Sequence, residues 1–107
     1  MRDDLQRMRD MLDAIGRIEK YASRGRDEFD RHDWMQVWVV HHLQIIGEAA
    51  RGLSEAMRDR MQDVPWRKVV GMRHILVHEY FQIDRDLVWT VVVNDLPIMM
   101  RSIEQEL

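Results

Sequence analysis

Apolar residues recur at helical spacing, over an unusually wide surface, in the run from Asp33 to Met61. One stripe advances by three or four residues at a time, which is the period of an α-helix: Met35, Val39, His42, Ile46, Ala49, Leu53 and Met57. Other apolar side chains widen the surface beyond this stripe: Trp34, Val37, Trp38 and Ile45. Such a helix is expected either at the centre of a bundle or buried against a second subunit.

Two segments before and after this run also have helical periodicity. Residues 3–23 form an amphipathic helix, and residues 24–32 are expected to be a turn held in place by Phe29. Pro65 is well suited to the first turn of a helix, which is predicted to continue to about His78. Glycines at 47 and 52, inside the long helix, predict close helix packing at both points.

The last predicted helix begins near Asp84 and continues to the end of the chain. Its valine-rich part, residues 88–93, is assigned to helix because no partner strand is recognisable elsewhere. Pro97 predicts a kink, since proline lacks an N–H and clashes with the preceding turn. The sequence therefore predicts an all-α, up-and-down bundle of four long helices, the last kinked, in one domain covering residues 1–107.

Charge and composition exclude several classes of protein. The net charge of −3 argues against indiscriminate nucleic-acid binding through a strongly basic surface. The absence of Cys excludes disulfides and thiolate metal sites. No signal peptide and no apolar run long enough to span a bilayer are recognisable, so a cytoplasmic protein without membrane contact is expected.

Residues 73–80, Arg-His-Ile-Leu-Val-His-Glu-Tyr, bring an arginine, two histidines and a tyrosine onto the end of a predicted buried helix. Buried polar groups need partners, so this density requires an explanation. One explanation is structural, with Arg73 paired to Glu48. On a straight helix His74 and His78 would share a face, whereas Arg73 and His78 would lie about 140° apart.

A metal site and an acid–base site are the two chemical alternatives. Two His four residues apart can bind one metal ion, but a third ligand would have to come from His41, His42 or Glu48. Alternatively, His78 could transfer protons near neutral pH while Arg73 stabilises a phosphate. RNA carries its own nucleophile, the 2′-hydroxyl, so this chemistry requires no metal.

The arrangement of Arg73, His78 and Tyr80, written R-x-x-x-x-H-x-Y, resembles the HepT-like toxins of the HEPN superfamily. The similarity extends over nearly the whole chain. Further matching positions are Tyr21, residues 44–49 (Gln-Ile-Ile-Gly-Glu-Ala), Pro65-Trp66, Gly71-Met72, Val88-Trp89 and Leu96-Pro97.

The resemblance implies an α-helical, homodimeric, metal-independent endoribonuclease without cofactors, which acts as a toxin on RNA. Its expected partner is a MntA-like nucleotidyltransferase antitoxin that adenylylates Tyr80. Arg73 and His78 would be catalytic, and His74 would support them where the family often has Asn. A nucleotide on Tyr80 would add bulk and negative charge where the RNA phosphate must lie.

Other candidate residues are assigned supporting or structural roles. Glu48 is expected to orient Arg73 or a histidine, and His42 to be a hydrogen-bonded core or interface residue. The four Trp are interpreted as core or interface residues rather than as an RNA-stacking surface. Five basic residues could follow a phosphate backbone, although a solvated charged face is the simpler interpretation: Arg24, Arg26, Arg31, Arg67 and Lys68.

The alternative to an enzyme is a non-catalytic helical module that binds a nucleotide or a partner protein through the same surface. Toxicity on expression separates the two, because a binding module should be harmless. The sequence does not indicate which RNA is the target.

Overall fold

Helices account for most of the chain in the computed structural model. The structure describes residues 2–75, 77–79 and 82–107. Within these ranges, only the backbone is described for Arg2 and for residues 73–75 and 77–79. The helices are α1 (Arg2–Ala22), α2 (Arg26–Arg31), α3 (Asp33–Gly52), α4 (Glu55–Arg60), α5 (Trp66–Ile75), α6 (Arg85–Thr90) and α7 (Leu96–Glu106), with a π-helical segment (Val91–Asp95) between the last two. Two short strands, β1 (Val77–Glu79) and β2 (Gln82–Ile83), form a hairpin. The predicted all-α class is confirmed.

The helix α3 is central, because it packs against α1 on one side and α5 on another. A β-carbon added at Gly47 would lie 3.1 Å from the carbonyl oxygen of Val69 on α5, and one at Gly52 would overlap the guanidinium of Arg7 on α1. The predicted close packing is confirmed at Gly47, whereas at Gly52 the contact is with the flexible end of the Arg7 side chain. The largest fully buried side chains come from α1, α2, α3, α5 and α7: Met8, Met11, Ile15, Ile18, Phe29, Met35, Leu43, Ile46, Met72, Leu96 and Met99.

The predicted continuous helix from residue 33 to residue 61 is wrong, because it is divided after Gly52. Leu53 adopts an extended conformation, with φ −65° and ψ 144°. Ser54 then caps α4, its hydroxyl accepting a hydrogen bond from the Met57 N–H at 3.1 Å. The buried carboxylate of Asp4 accepts hydrogen bonds from the Ser54 N–H at 2.8 Å and from its hydroxyl at 2.7 Å. The break is therefore fixed by a partner on α1 as well as by the local cap.

The prediction that the helix from Pro65 continues to His78 is also wrong. The helix α5 ends at Ile75, and the backbone of Val77 pairs with Ile83 in an antiparallel hairpin. β-branched residues at paired positions favour extended backbone, which is the local reason for the change. His78 is thus on a strand, so neither the shared helical face with His74 nor the 140° angle to Arg73 applies.

The short helix α2 is confirmed as a turn held by Phe29, whose side chain is fully buried and packs against Trp89 with ring centroids 5.2 Å apart. Arg26 pairs with Asp30 within α2 at 2.9 Å and connects α2 to α6 through an ion pair with Asp86 at 2.6 Å. The hydrogen bond from Arg26 lowers the pKa of the Asp86 carboxyl below its usual value. Together these contacts fix the connection between α1 and α3 against the C-terminal half.

Residues 88–93 are helical, as predicted. Asp84 caps α6 by accepting a hydrogen bond from the Leu87 N–H at 3.1 Å. A π-helical segment precedes Pro97, which lies in the first turn of α7. The missing proline N–H is tolerated at that position, while a bend of the axis at Pro97 stays a prediction. No helix in the described part of the chain is long and apolar enough to cross a membrane.

Candidate functional site

The backbone places the motif residues at the junction between α5 and the hairpin. Arg73 and His74 lie in the last turn of α5, and His78 lies in β1. Val69 marks the closest approach of α5 to α3, and Arg73 follows four residues later, about 6 Å along the helix axis. The motif therefore begins beside the central helix. The side chains of Arg73, His74 and His78, and the whole of Tyr80, lie outside the described residues.

Glu48 follows Gly47 on α3, so it lies next to the crossing with α5. Its exposed carboxylate is 3.9 Å from the guanidinium of Arg51. This position next to the crossing is compatible with the predicted supporting role for Arg73. The contact itself stays a prediction, because it involves a side chain outside the described ones.

A polar groove lies between α1 and α3 and was not predicted from the sequence. Its volume is about 720 Å³, and it is lined by Arg7, Asp10, Asp13, Ala14 and Arg17 on α1 and by His41, His42, Gln44, Ile45, Glu48 and Ala49 on α3. Both signs of charge are present, so the groove suits a polar ligand better than an apolar one. Glu48 connects the groove to the crossing of α3 with α5. The i, i+3 and i+7 spacing of polar residues on α1 could have indicated it.

His42 is a buried, hydrogen-bonded histidine, as predicted. It is 5 % exposed, and its Nδ1 lies 2.8 Å from the carbonyl oxygen of Trp38. Because a carbonyl only accepts hydrogen bonds, Nδ1 carries the proton. The imidazole packs against the Trp38 ring with centroids 4.4 Å apart. Among the side chains that the structure describes, no group of three or more His, Asp or Glu is arranged to hold a metal ion.

The outer face of α3 leaves three large apolar side chains exposed. Trp34 is 48 % exposed, Val37 59 % and Ile45 37 %. Trp34 is therefore not a core residue within one protomer. These residues fall on one stripe together with His41, and that stripe faces away from the core.

Most of the basic residues considered for phosphate binding are already neutralised within the protomer. Arg26 pairs with two aspartates, and Lys68 pairs with Asp95 at 2.7 Å. Arg31 is 3.7 Å from Glu28. Arg24 differs, because its guanidinium lies over the Tyr21 ring, 5.2 Å from the centroid. The predicted patch is thus reduced to Arg24 and the exposed Arg67.

Comparison with known proteins identifies the family. The family model for HepT-like ribonucleases matches residues 11–106. The chain belongs to the HepT-like family.

Individual relatives agree with this membership. The chain is 38 % identical over 78 residues to "Putative RNase MJ1380" of Methanocaldococcus jannaschii, a match covering 73 % of this chain and 72 % of that protein. It is 29 % identical over 99 residues to "Probable ribonuclease HepT" of Thermococcus cleftensis, covering 92 % and 90 %. A longer protein of M. jannaschii, named "Gamma-glutamylcyclotransferase and putative RNase MJ0434", is 34 % identical over 94 residues, which are 87 % of this chain and 42 % of that protein. No solved structure matches the chain significantly.

Proposed function

We propose that this protein is a toxin of a toxin–antitoxin system and acts as a metal-independent endoribonuclease. The observation that carries the proposal is the HepT-like match over residues 11–106, a range that contains Arg73, His78 and Tyr80. The relatives' names as RNases support the same activity. One domain covering residues 1–107, working in the cytoplasm, is part of the proposal.

The proposed reaction is transesterification of an RNA phosphodiester. The 2′-oxygen attacks the adjacent phosphorus as its proton passes to a base, and the bond from phosphorus to the 5′-oxygen breaks. The leaving 5′-oxygen takes up a proton, so the products are a 2′,3′-cyclic phosphate and a 5′-hydroxyl. His78 acts as the base or the acid, and Arg73 stabilises the charge on the phosphate oxygens.

Two supporting residues would position this pair. His74 directly follows Arg73 in the last turn of α5 and would assist in holding the phosphate. Glu48, beside the crossing of α3 and α5, would orient Arg73. The end of a helix followed by a hairpin suits such a site, because the helix and the strand hold Arg73 and His78 on separate, regular elements.

A homodimer is proposed through Val37 and Ile45 on the exposed face of α3, with Trp34 outside the contact. Val37 and Ile45 are exposed apolar residues on a helix that otherwise forms the core, and covering them would remove apolar surface from water. Ile45→Asp should shift the protein from dimer to monomer in sedimentation equilibrium. Val93→Asp is the matched control, since Val93 is 47 % exposed in the π-helical segment and should leave the mass unchanged.

Regulation is proposed to act on Tyr80, two residues after His78. A nucleotidyltransferase antitoxin would attach AMP to the Tyr80 oxygen, bringing negative charge to the place where the RNA phosphate binds. Incubation with such an enzyme and ATP should add the mass of one AMP to the parent chain. Tyr80→Phe should remain unmodified and keep its cleavage activity in the presence of the antitoxin.

The activity is tested with purified protein and labelled RNA in EDTA. The parent should release fragments with 2′,3′-cyclic phosphate ends, while Arg73→Ala and His78→Ala should be inactive. Arg101→Ala, a change at an exposed arginine on α7, is the control and should cleave normally. Cleavage by both motif variants at the parent rate would refute the assignment. A harmless protein without cleavage would favour the non-catalytic module.

A further inference from the structure

An exposed aromatic and basic cluster lies at the start of α3, at the opposite end of that helix from Glu48. We propose that Trp34 and Tyr21, with Lys20 and Arg24, form a binding site for an unpaired base of single-stranded RNA and its neighbouring phosphates. The proposal rests on the proposed ribonuclease function for the identity of the ligand. Its test measures binding, however, and does not depend on cleavage.

The first support is that Trp34 is held in place and yet remains half exposed. Its ring meets the Tyr21 ring nearly at right angles, with centroids 5.0 Å apart, and lies 5.7 Å from the His32 ring. After these contacts 48 % of Trp34 is still accessible to solvent. An aromatic ring that is already ordered loses little conformational entropy when a base stacks on it.

The second support is that Tyr21 packs against a second indole ring, which is itself hydrogen-bonded to α1. Tyr21 also meets the Trp38 ring, at 5.4 Å and nearly at right angles. The Trp38 indole N–H donates to the carbonyl oxygen of Arg17 at 2.8 Å, which connects α3 to α1. Tyr21 is therefore held between two indole rings. The arrangement is typical of a preformed platform rather than of a loose surface side chain.

The third support is charge. The Lys20 ammonium lies 5.4 Å and the Arg24 guanidinium 5.2 Å from the Tyr21 centroid. Neither cation forms an ion pair with a carboxylate among the residues that the structure describes, in contrast to Arg26 and Lys68. Two unneutralised cations beside Tyr21, whose ring contacts the exposed Trp34 indole, provide what a nucleotide needs: one contact for the phosphate and one for the base.

The same cations argue against a second copy of the chain as the occupant. A two-fold contact centred on Trp34 would place Lys20 and Arg24 opposite their own counterparts, which is electrostatically unfavourable. The dimer proposed above uses Val37 and Ile45, further along α3. Trp34 and Glu48 are fourteen residues apart on α3, so the platform lies about 21 Å from the motif end of the helix. It would therefore bind nucleotides at a distance from the cleaved bond.

The test is the affinity for a fluorescently labelled single-stranded 2′-O-methyl RNA, which lacks the nucleophile and stays intact. Fluorescence anisotropy should show that Trp34→Ala weakens binding by about 5- to 150-fold, the range expected for the loss of one stacked base. Trp34→Phe, which keeps an aromatic face, should restore most of the affinity. Val93→Ala removes an equally exposed apolar side chain elsewhere and should bind like the parent.

Lys20→Gln and Arg24→Gln should each weaken binding and reduce the salt dependence of the binding constant by about 0.7 logarithmic units per logarithmic unit of salt. Unchanged affinity of Trp34→Ala for RNA would overturn the proposal, even if the parent cleaves RNA. A loss of affinity that is accompanied by a change of mass in sedimentation would also overturn it, in favour of a contact between copies. Weaker binding at constant mass supports the platform whether or not cleavage is detected.

Discussion

The contact between Asp4 and Ser54 gives the sharpest test of how the helical core is held together. Asp4 is 3 % exposed, and its two carboxylate oxygens accept hydrogen bonds from the Ser54 N–H and hydroxyl at 2.8 Å and 2.7 Å. The same hydroxyl accepts from the Met57 N–H, so one carboxylate orders both the break after α3 and the first turn of α4. Replacing Asp4 removes the partner of both donors.

The expected magnitude follows from the two hydrogen bonds. Each bond to a charged group contributes about 1.5–3 kcal/mol, and the two are not additive because they share one partner residue. Asp4→Ala should therefore lower the free energy of unfolding by about 2–4 kcal/mol, which corresponds to roughly 8–20 °C in Tm for a domain of this size. Asp4→Asn keeps one oxygen acceptor and should cost about 1–2 kcal/mol.

The effect should depend on pH in a defined direction. The hydrogen bond from the Ser54 backbone is the main cause that lowers the pKa of Asp4, and the Ser54 hydroxyl adds to it. Since the folded pKa lies below the unfolded one, the stabilisation is complete above about pH 4 and is lost as the pH falls through the folded pKa. The stability difference between parent and Asp4→Asn should thus be constant near neutrality and shrink in acid.

Urea denaturation followed by circular dichroism, at neutral pH and at several acidic values, measures this difference. Asp3→Asn is the matched control, because Asp3 is exposed and lies in the same first turn of α1, so both changes alter the helix dipole equally. A double-mutant cycle with Ser54→Ala should give a coupling energy of about 0.5–3 kcal/mol. The reasoning is refuted if Asp4→Asn is no more destabilising than Asp3→Asn, or if its effect does not change with pH.

Four further substitutions test the packing and the backbone conformation. Gly16→Ala should raise stability by about 1 kcal/mol in thermal unfolding, because nothing lies within 4 Å of the added β-carbon and alanine favours the helix. Gly47→Ala should instead lower stability by about 1–3 kcal/mol and reduce RNA cleavage, because its β-carbon would press on the Val69 carbonyl and displace α5. Equal gains in stability for Gly16→Ala and Gly47→Ala would contradict the close approach of Gly47 to α5. Gly25→Ala should cost about 1–3 kcal/mol in chemical denaturation, because φ 99° and ψ 170° belong to a region used almost only by glycine. Phe29→Ala should cost about 3–5 kcal/mol by the same measurement, and a loss below 1 kcal/mol would show that this ring does not fix α2 against Trp89.

The helical segments with strong periodicity could be predicted from the sequence, because burial on one face imposes a 3.6-residue period. Residues 3–23 and the start of α3 agree with the structure to within one residue. The two errors fall where periodicity continues through a break. Leu53 and Met57 keep the apolar spacing of α3, and Leu76 keeps that of α5, so no change of period marks either helix end.

For the candidate site too, the sequence predicted some properties and left others undetermined. The order and identity of Arg73, His78 and Tyr80 are properties of the sequence, and they led to the HepT-like family that the whole-chain match shows. The exposure of Trp34 could not be predicted, because the width of the apolar surface on α3 does not say which side the core takes.

The sequence by itself therefore determined the fold class, the family and the residues proposed for catalysis, since these depend on local periodicity and on residue identity. Only the tertiary structure decided where α3 ends, because that break is fixed by Asp4, fifty residues away in the chain. Only the tertiary structure brought Trp34 of α3 against Tyr21 of α1, beside Lys20 and Arg24. Both results depend on contacts between helices, and such contacts cannot be predicted from the spacing of residues within one helix.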